Sequence, residues 1–211
     1  MADEESCPFD GFVHKLKGLV HGKQTTEDSQ QCFFVLSHIS SIIAGTSKAV
    51  LNKSQRDFED ILIKLLLQGA SPPVRRLINS CLCDVLRHGK NISMYSRVND
   101  LLGYLAKNVS SNSGVEYEAR IGCMECLGAL AYAHGSQLAQ LLGETITVAA
   151  RQMRSSDART RSAALLMVKA VLEGTGGALA EQQQIEALKM AKQGASDRSD
   201  VVRMAAGDCL Q

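Results

Sequence analysis

Apolar positions recur along this chain at the spacing of α-helices. In the segment from Val202 to Leu210, for example, valine, alanine, alanine, cysteine and leucine fall at positions 202, 205, 206, 209 and 210. This spacing places the apolar side chains on one face of a helix, which a neighbouring element then buries. Comparable stretches follow one another along the chain, separated by short runs rich in glycine, proline, serine or aspartate. The pattern predicts an all-α fold.

Four of these helical stretches align with one another without gaps. They are VRRLINSCL from position 74, ARIGCMECL from 119, TRSAALLMV from 160 and VRMAAGDCL from 202. Each has arginine at its second position, so Arg75, Arg120, Arg161 and Arg203 follow one another at intervals of 45, 41 and 42 residues. A period of roughly 40 residues is typical of proteins built from repeated helix pairs.

Each copy follows another helical stretch, so the repeating unit is a pair of helices and the chain contains about five pairs. Their approximate bounds are 8–45, 54–89, 93–135, 136–174 and 179–211. One pair cannot bury its own apolar stripe, whereas stacked pairs form a continuous core. The sequence therefore predicts one α-solenoid segment over residues 1–211. Because the last helix is apolar up to its end, we expect this segment to be the N-terminal part of a longer solenoid.

Glycine, proline and aspartate residues between the stretches mark expected helix ends. Gly69 and Gly194 are expected to follow helix C-termini, and Pro72 is expected to begin a helix. Asp157 and Asp197 are candidates for N-caps, because their carboxylates can accept hydrogen bonds from the first amide groups of a helix.

Composition excludes several functional classes. The 23 basic and 22 acidic residues give a net charge of +1, which provides no field to attract nucleic acid. The N-terminus is acidic where an export signal would be basic, and no apolar run reaches the roughly 18 residues of a membrane span. Seven cysteines in a chain without an export signal are expected to be reduced thiols. We therefore expect a cytoplasmic protein.

No set of residues has the pattern of a catalytic site. A four-thiolate zinc site at Cys81, Cys83, Cys123 and Cys126 is one alternative, but these cysteines recur at apolar repeat positions and are better explained as core residues. The five histidines are scattered, and the glycines of LEGTGGALAE lack the strand and the Lys-Ser/Thr of a phosphate-binding loop. The sequence predicts no enzyme activity, no metal and no cofactor.

Two further segments each allow two interpretations. Arg151, Arg154, Arg159 and Arg161 surround one turn and could bind an acidic peptide or a phosphoinositide, although a solvated turn is the simpler explanation. The helix predicted over residues 9–23 has one apolar side and several lysines. It could lie on a membrane surface, but we expect it to cover the end of the first repeat.

The repeat resembles the HEAT repeat, in which arginine preceded by aspartate or valine opens the second helix. Asp157 with Arg161, and Asp200 with Arg203, fit this pattern. The resemblance implies a ladder of arginines that pair with acids in neighbouring repeats and hold the repeat register.

Longer strings resemble a narrower family. GASPPVRRL, HGKNISMYSRVNDLLGYL, the stretch from LGALAYAHG to LEGTGGA, and VVRMAAGDCL occur in an order similar to the N-terminal region of the very large HEAT-repeat proteins that act as clathrin-adaptor accessories. This family includes plant Sweetie, the animal HEAT-repeat-containing family 5 proteins and the yeast large adaptor-accessory protein.

The family resemblance implies a non-enzymatic scaffold in vesicle trafficking between the trans-Golgi network and endosomes. Its expected partners are clathrin adaptor or coat components and accessory subunits, with at most peripheral membrane association. Solenoids bind along the face lined by their second helices, so Asn79, Glu125 and Lys169 are candidate contact residues, together with Arg151 and Arg154 of the basic turn. The alternative function is a tubulin-binding HEAT module. Such modules use a tryptophan in an early inter-helix loop, and this chain has none.

Overall fold

A computed structural model describes residues 8–20, 25–107, 113–176 and 178–210, and within these ranges the regular structure is helical, with no β-strand. The α-helices are α1 (Pro8–Leu19), α2 (Thr26–Ile42), α3 (Lys48–Leu67), α4 (Pro72–His88), α5 (Ser93–Ala106), α6 (Gly114–Gln152), α7 (Ala158–Thr175), α8 (Glu181–Ala195) and α9 (Asp200–Cys209). A short 3-10 turn, Ile43–Gly45, follows α2. The predicted all-α, solenoid-like fold is confirmed.

The chain divides into two compact units, unit 1 over Met1–Met94 and unit 2 over Tyr95–Gln211. In unit 1, α1 packs on α2 and α3, and α4 packs on the same two helices. The rings of Phe9 and Phe58 meet edge to face at 5.3 Å in this core, and both are fully buried. Burial of two phenylalanines favours folding by several kcal/mol, about 1.5–3 for each side chain.

Local sequence signals define the helix ends of unit 1. Thr25 and Asp28 form a capping box at the start of α2, in which each side chain accepts a hydrogen bond from the other residue's backbone. Gly69 follows the end of α3 with φ of 80°, a left-handed conformation that other residues adopt only with strain. Pro72 begins α4, where its missing N–H leaves no unsatisfied donor.

In unit 2, α6 contains two helical segments joined at a kink. His134 has non-helical backbone angles, φ −135° and ψ 16°, and separates residues 114–133 from 135–152. The kink lies beside the boundary expected between the third and fourth pairs. In the expected division into pairs, the first segment of α6 is the second helix of the third pair, and the second segment is the first helix of the fourth.

Glycines allow α6 and α7 to approach closely. A Cβ atom on Gly174 would collide with the backbone of Ala131, and one on Gly135 would collide with the backbone of Gly174. Nearer the start of both helices, a Cβ on Gly128 would lie 3.4 Å from the Cβ of Ala170. These contacts follow the same order along both helices, since Gly128 meets Ala170 and Ala131 meets Gly174. The first segment of α6 and α7 therefore lie side by side and parallel.

Two expected helix ends are wrong. Gly194 lies inside α8, where a Cβ atom would press on Leu165 and Ala206, so the glycine permits close packing and is not a cap. The N-cap of α9 is Ser199. The Asp197 carboxylate lies before that cap, accepting a hydrogen bond from the Ser199 N–H at 2.9 Å.

The final helix buries only part of its expected apolar face. Val202, Ala205 and Ala206 are buried. Cys209 is half-buried, and Leu210 is exposed. The residues at the corresponding positions of the three earlier copies, Leu82, Leu127 and Val168, are fully buried.

Candidate partner-binding surface

The four repeated arginines share one contact within their own helix pairs. Each guanidinium reaches back to backbone carbonyl groups at the end of the pair's first helix or in the loop that follows it. The acceptors are Ala70 for Arg75, Leu105 and Lys107 for Arg120, Ser155 and Ser156 for Arg161, and Asp197 for Arg203, at 2.8 to 3.3 Å. Carbonyl groups at a helix C-terminus have no partner within the helix, so these bonds satisfy them and hold the loop.

The acidic partners of the arginines differ from repeat to repeat. Arg161 makes the pairing that the ladder requires, because it binds Asp197 of the next pair through two hydrogen bonds of 2.8 Å. Arg120 instead binds Glu116 of its own helix at 3.2 Å. Arg203 likewise binds Asp200, one turn away on α9.

Asp157, the acid that precedes Arg161 in the repeat pattern, caps a helix. Its carboxylate caps α7, accepting hydrogen bonds from the Thr160 N–H at 2.9 Å and the Thr160 hydroxyl at 2.8 Å. The capping geometry turns the carboxylate toward the first turn of its own helix, where it also meets Arg159 at 3.5 Å.

The Arg161–Asp197 pair is shielded from solvent and shifts the titration of both groups. The side chains are only 7 % and 14 % exposed. Hydrogen bonds from Arg161 hold the pKa of Asp197 below its ordinary value, helped by the Ser199 N–H and opposed by burial. The same bonds raise the pKa of Arg161, so both groups are charged at neutral pH.

Further bonds between successive second helices set their register. Arg159 on α7 binds Glu118, which holds the corresponding position on α6, at 2.5 Å. Tyr117 and Ser156 share a hydrogen bond of 3.2 Å. The Ser162 hydroxyl donates to the Val201 carbonyl of α9 at 3.3 Å.

Residues at steps of seven or three positions from these contacts lie on the same side of α6, α7 and α9. Seven residues make nearly two helical turns, so such residues share one side of a helix. We call the surface the second-helix face and define it by Glu118, Glu125 and Tyr132 on α6, Arg159, Leu166, Lys169 and Glu173 on α7, and Val201, Met204 and Asp208 on α9. Its large apolar side chains are well exposed: Tyr132 is 69 %, Leu166 45 % and Met204 70 % accessible.

Only some of the expected contact residues lie on this face. Glu125 and Lys169 belong to it, and both are half-buried. The Lys169 ammonium lies 3.8 Å from the Glu173 carboxylate. Asn79 lies in unit 1 on α4, where its Oδ1 is buried without a hydrogen bond.

The basic turn divides into two kinds of arginine. Arg151 and Arg154 are exposed at the end of α6 and in the loop after it. Arg159 and Arg161, by contrast, bind the acids Glu118 and Asp197. The turn therefore presents fewer available cations than its sequence suggests.

The cysteines of the possible zinc site lie in the core, as the packing interpretation predicted. Cys81, Cys83, Cys123 and Cys126 are all buried. Burial raises the pKa of the Cys81, Cys83 and Cys123 thiols to about 12. In the part of the chain that the structure describes, no three His, Cys, Asp or Glu side chains are grouped as metal ligands would be.

The apolar side of the N-terminal helix α1 packs inside unit 1. Phe9, Val13 and Leu16 are buried, and the Phe12 ring lies 5.6 Å from the ring of His38. This is the arrangement expected of a helix that covers the first repeat. Among the helices described, none combines the length and apolarity that crossing a bilayer requires.

Several exposed apolar residues lie outside the sites expected from the sequence. Phe33 and Phe34 on α2 meet edge to face at 6.1 Å and line a groove of about 780 Å³ with Pro73 and Val74. For the second-helix face, the sequence feature that could have indicated an exposed Leu166 is its seven-residue spacing from Arg159. This spacing places both side chains on one side of a helix.

Comparison with known proteins finds a relative that matches nearly the whole chain. Protein SWEETIE of Arabidopsis thaliana is 31% identical over 205 residues, which are 96% of this chain and 9% of that protein. The chain therefore spans less than a tenth of the relative's length. No protein-family profile matches the chain.

Proposed function

We propose that this chain, which belongs to the family of HEAT-repeat proteins represented by plant Sweetie, acts as a non-enzymatic scaffold for protein binding. In this proposal the second-helix face of unit 2 contacts the partner. The buried Arg120 and Arg161 and the close glycine contacts between α6 and α7 hold its helices in place. Rigid helices hold binding residues more accurately than loops do.

The exposed apolar residues of the face carry this proposal. Tyr132, Leu166 and Met204 stand on three successive second helices, and each is at least 45 % accessible. Exposed apolar side chains beside charged ones are characteristic of protein-binding surfaces. Aromatic residues and methionine are also enriched at such interfaces.

The family resemblance supports a more specific role. We propose that the partners are clathrin adaptor or coat components and accessory subunits, and that the protein works in the cytoplasm, at the surface of the trans-Golgi network and endosomes. This role requires no cofactor and no nucleic acid. It also requires no catalytic residue, because binding alone would recruit or align the partners.

Affinity capture from cytosol tests the proposal. The bait is the 211-residue chain, beside a face variant with Leu166→Ser and Met204→Ser. The control variant carries Ile185→Ser and Leu188→Ser on α8, which are 41 % and 46 % exposed but lie outside the face. Circular dichroism checks that each bait is folded.

The proposal predicts that the wild-type and control baits retain adaptor or coat components and that the face variant loses them. Equal retention by all three folded baits would exclude the second-helix face. Enrichment of tubulin, followed by co-sedimentation with microtubules, would favour the cytoskeletal alternative.

A further inference from the structure

The second-helix face combines its apolar side chains with an excess of acid. Its acidic residues are Glu118, Glu125, Glu173 and Asp208, and its basic residues are Arg159 and Lys169. Each basic residue is already paired with an acid of the face, Arg159 with Glu118 and Lys169 with Glu173. The face therefore has a net charge of −2, although the whole chain is nearly neutral at +1.

Small residues lie between two ridges of this face. Gly128 on α6 approaches Ala170 on α7 so closely that a Cβ atom on the glycine would be in tight contact. Glu125 and Tyr132 stand on one side of this contact, and Leu166 stands on the other. The contact holds α6 and α7 close together, so the exposed side chains of the two helices stand on neighbouring, closely packed supports.

The dimensions of the face suit one helix of a partner. Tyr132, Leu166 and Met204 stand on three neighbouring helices, whose axes lie roughly 8–10 Å apart when packed, so the three side chains span about 20 Å across the face. A partner helix of about 14 residues would cross this width. Amphipathic helices commonly bind such surfaces through apolar anchors at intervals of three, four and seven residues.

From these features we infer that the partner contributes a basic amphipathic helix. Its apolar stripe covers Tyr132, Leu166 and Met204, and its lysines or arginines lie beside the acids of the face. Charge complementarity excludes an acidic helix, because its carboxylates would meet a surface of the same sign. This inference rests on the proposed function, since it names the partner chemistry for the same surface.

Synthetic peptides test the inference directly. Three peptides of about 18 residues are needed: one with a leucine stripe and a lysine and arginine polar side, one with the same stripe and a glutamate polar side, and one with the basic composition in scrambled order. Fluorescence anisotropy measures the affinity of each for the folded 211-residue chain.

We expect the basic amphipathic peptide to bind at least about tenfold more tightly than the other two, and to weaken as salt is raised. Asp208→Lys and Met204→Ser should each reduce its affinity several-fold. Their matched controls, Glu144→Lys and Ile185→Ser, change exposed residues outside the face and should leave the affinity unchanged.

Equal or tighter binding of the acidic peptide would overturn the inference, as would equal losses in the face and control variants. Tight binding of the scrambled peptide would overturn it too, since it would indicate attraction without helix recognition. If cytosolic partners depend on Leu166 and Met204 while the basic peptide shows no preference, the inference fails and the proposed function stands. If partner capture is also independent of the face, both fail.

Discussion

The guanidinium of Arg161 binds the carboxylate of Asp197 through two hydrogen bonds of 2.8 Å, and so joins two successive helix pairs. The same guanidinium holds the carbonyls of Ser155 and Ser156 in its own pair. One side chain therefore closes the loop within a repeat and fixes the next repeat against it.

We predict that Asp197→Ala lowers the free energy of unfolding by about 3 kcal/mol, because it leaves the buried Arg161 without its anionic partner. The matched control is Asp200→Ala. It removes the exposed pair with Arg203 and should cost less than about 1 kcal/mol. Urea unfolding measures both, and similar losses in the two variants would contradict the structural role of the buried pair.

Acid should weaken the same pair. Because Arg161 lowers the pKa of Asp197 in the folded state, the stabilisation is fully present above the unfolded-state pKa of about 4 and is lost as the pH falls through the folded-state value. The wild type should therefore exceed Asp197→Asn in stability at pH 6, and this difference should shrink toward pH 3. A difference that stays constant or grows would show that Asp197 is not held charged by Arg161.

Substitution by alanine should have opposite effects at two glycines, one in the close contact between α6 and α7 and one in open space on α5. Gly174→Ala should destabilise unit 2 by about 1–3 kcal/mol, because the new Cβ would collide with the backbone of Ala131. Gly103→Ala places a methyl group in open space on α5 and should stabilise by up to about 1 kcal/mol. Thermal or urea unfolding of both variants checks the sign, and a neutral Gly174→Ala would mean that the helices are further apart.

Burial predicts which thiols react in the folded protein. In a Cys7→Ser background, which removes the cysteine outside the described residues, the half-buried Cys209 should react with a thiol reagent faster than Cys81, Cys83 or Cys123. Burial keeps those three protonated by raising their pKa to about 12. Mass spectrometry of the labelled protein identifies the sites. Equal rates before and after denaturation would contradict the buried-core assignment.

Helix formation and the repeated arginines were predictable because both depend on short-range patterns. The apolar period identifies helices, and the spacing of Arg75, Arg120, Arg161 and Arg203 identifies the repeats. The buried cysteines were predictable for the same reason, since they recur at apolar positions of those repeats.

The errors arise where one residue type serves two purposes. Glycine marks a helix end at Gly69 because of its backbone freedom, but at Gly194 it lies within a helix and allows a neighbour to approach. Asp157 and Asp197 both precede helices, yet only Asp157 caps one. The N-cap of α9 is Ser199, and the Asp197 carboxylate instead binds an arginine from the preceding pair. Contacts of this kind depend on how the pairs pack and are not visible in local sequence.

The binding surface was only partly predictable for a related reason. Apolar periodicity assigns leucines to the core, and it cannot distinguish Leu165, which is buried, from Leu166, which is exposed. Their different environments follow from the positions of α6 and α9 on either side of α7.

Site-specific photocrosslinking tests most directly whether the second-helix face binds a protein. A photoreactive amino acid replaces Leu166 in one sample and the equally exposed Ile185 in another, and each is irradiated in cytosol before mass spectrometry. The account predicts a discrete crosslinked partner at position 166 that is absent at position 185 and is displaced by an excess of the unmodified chain. The same crosslinks at both positions, or none at position 166 while position 185 yields one, would contradict it.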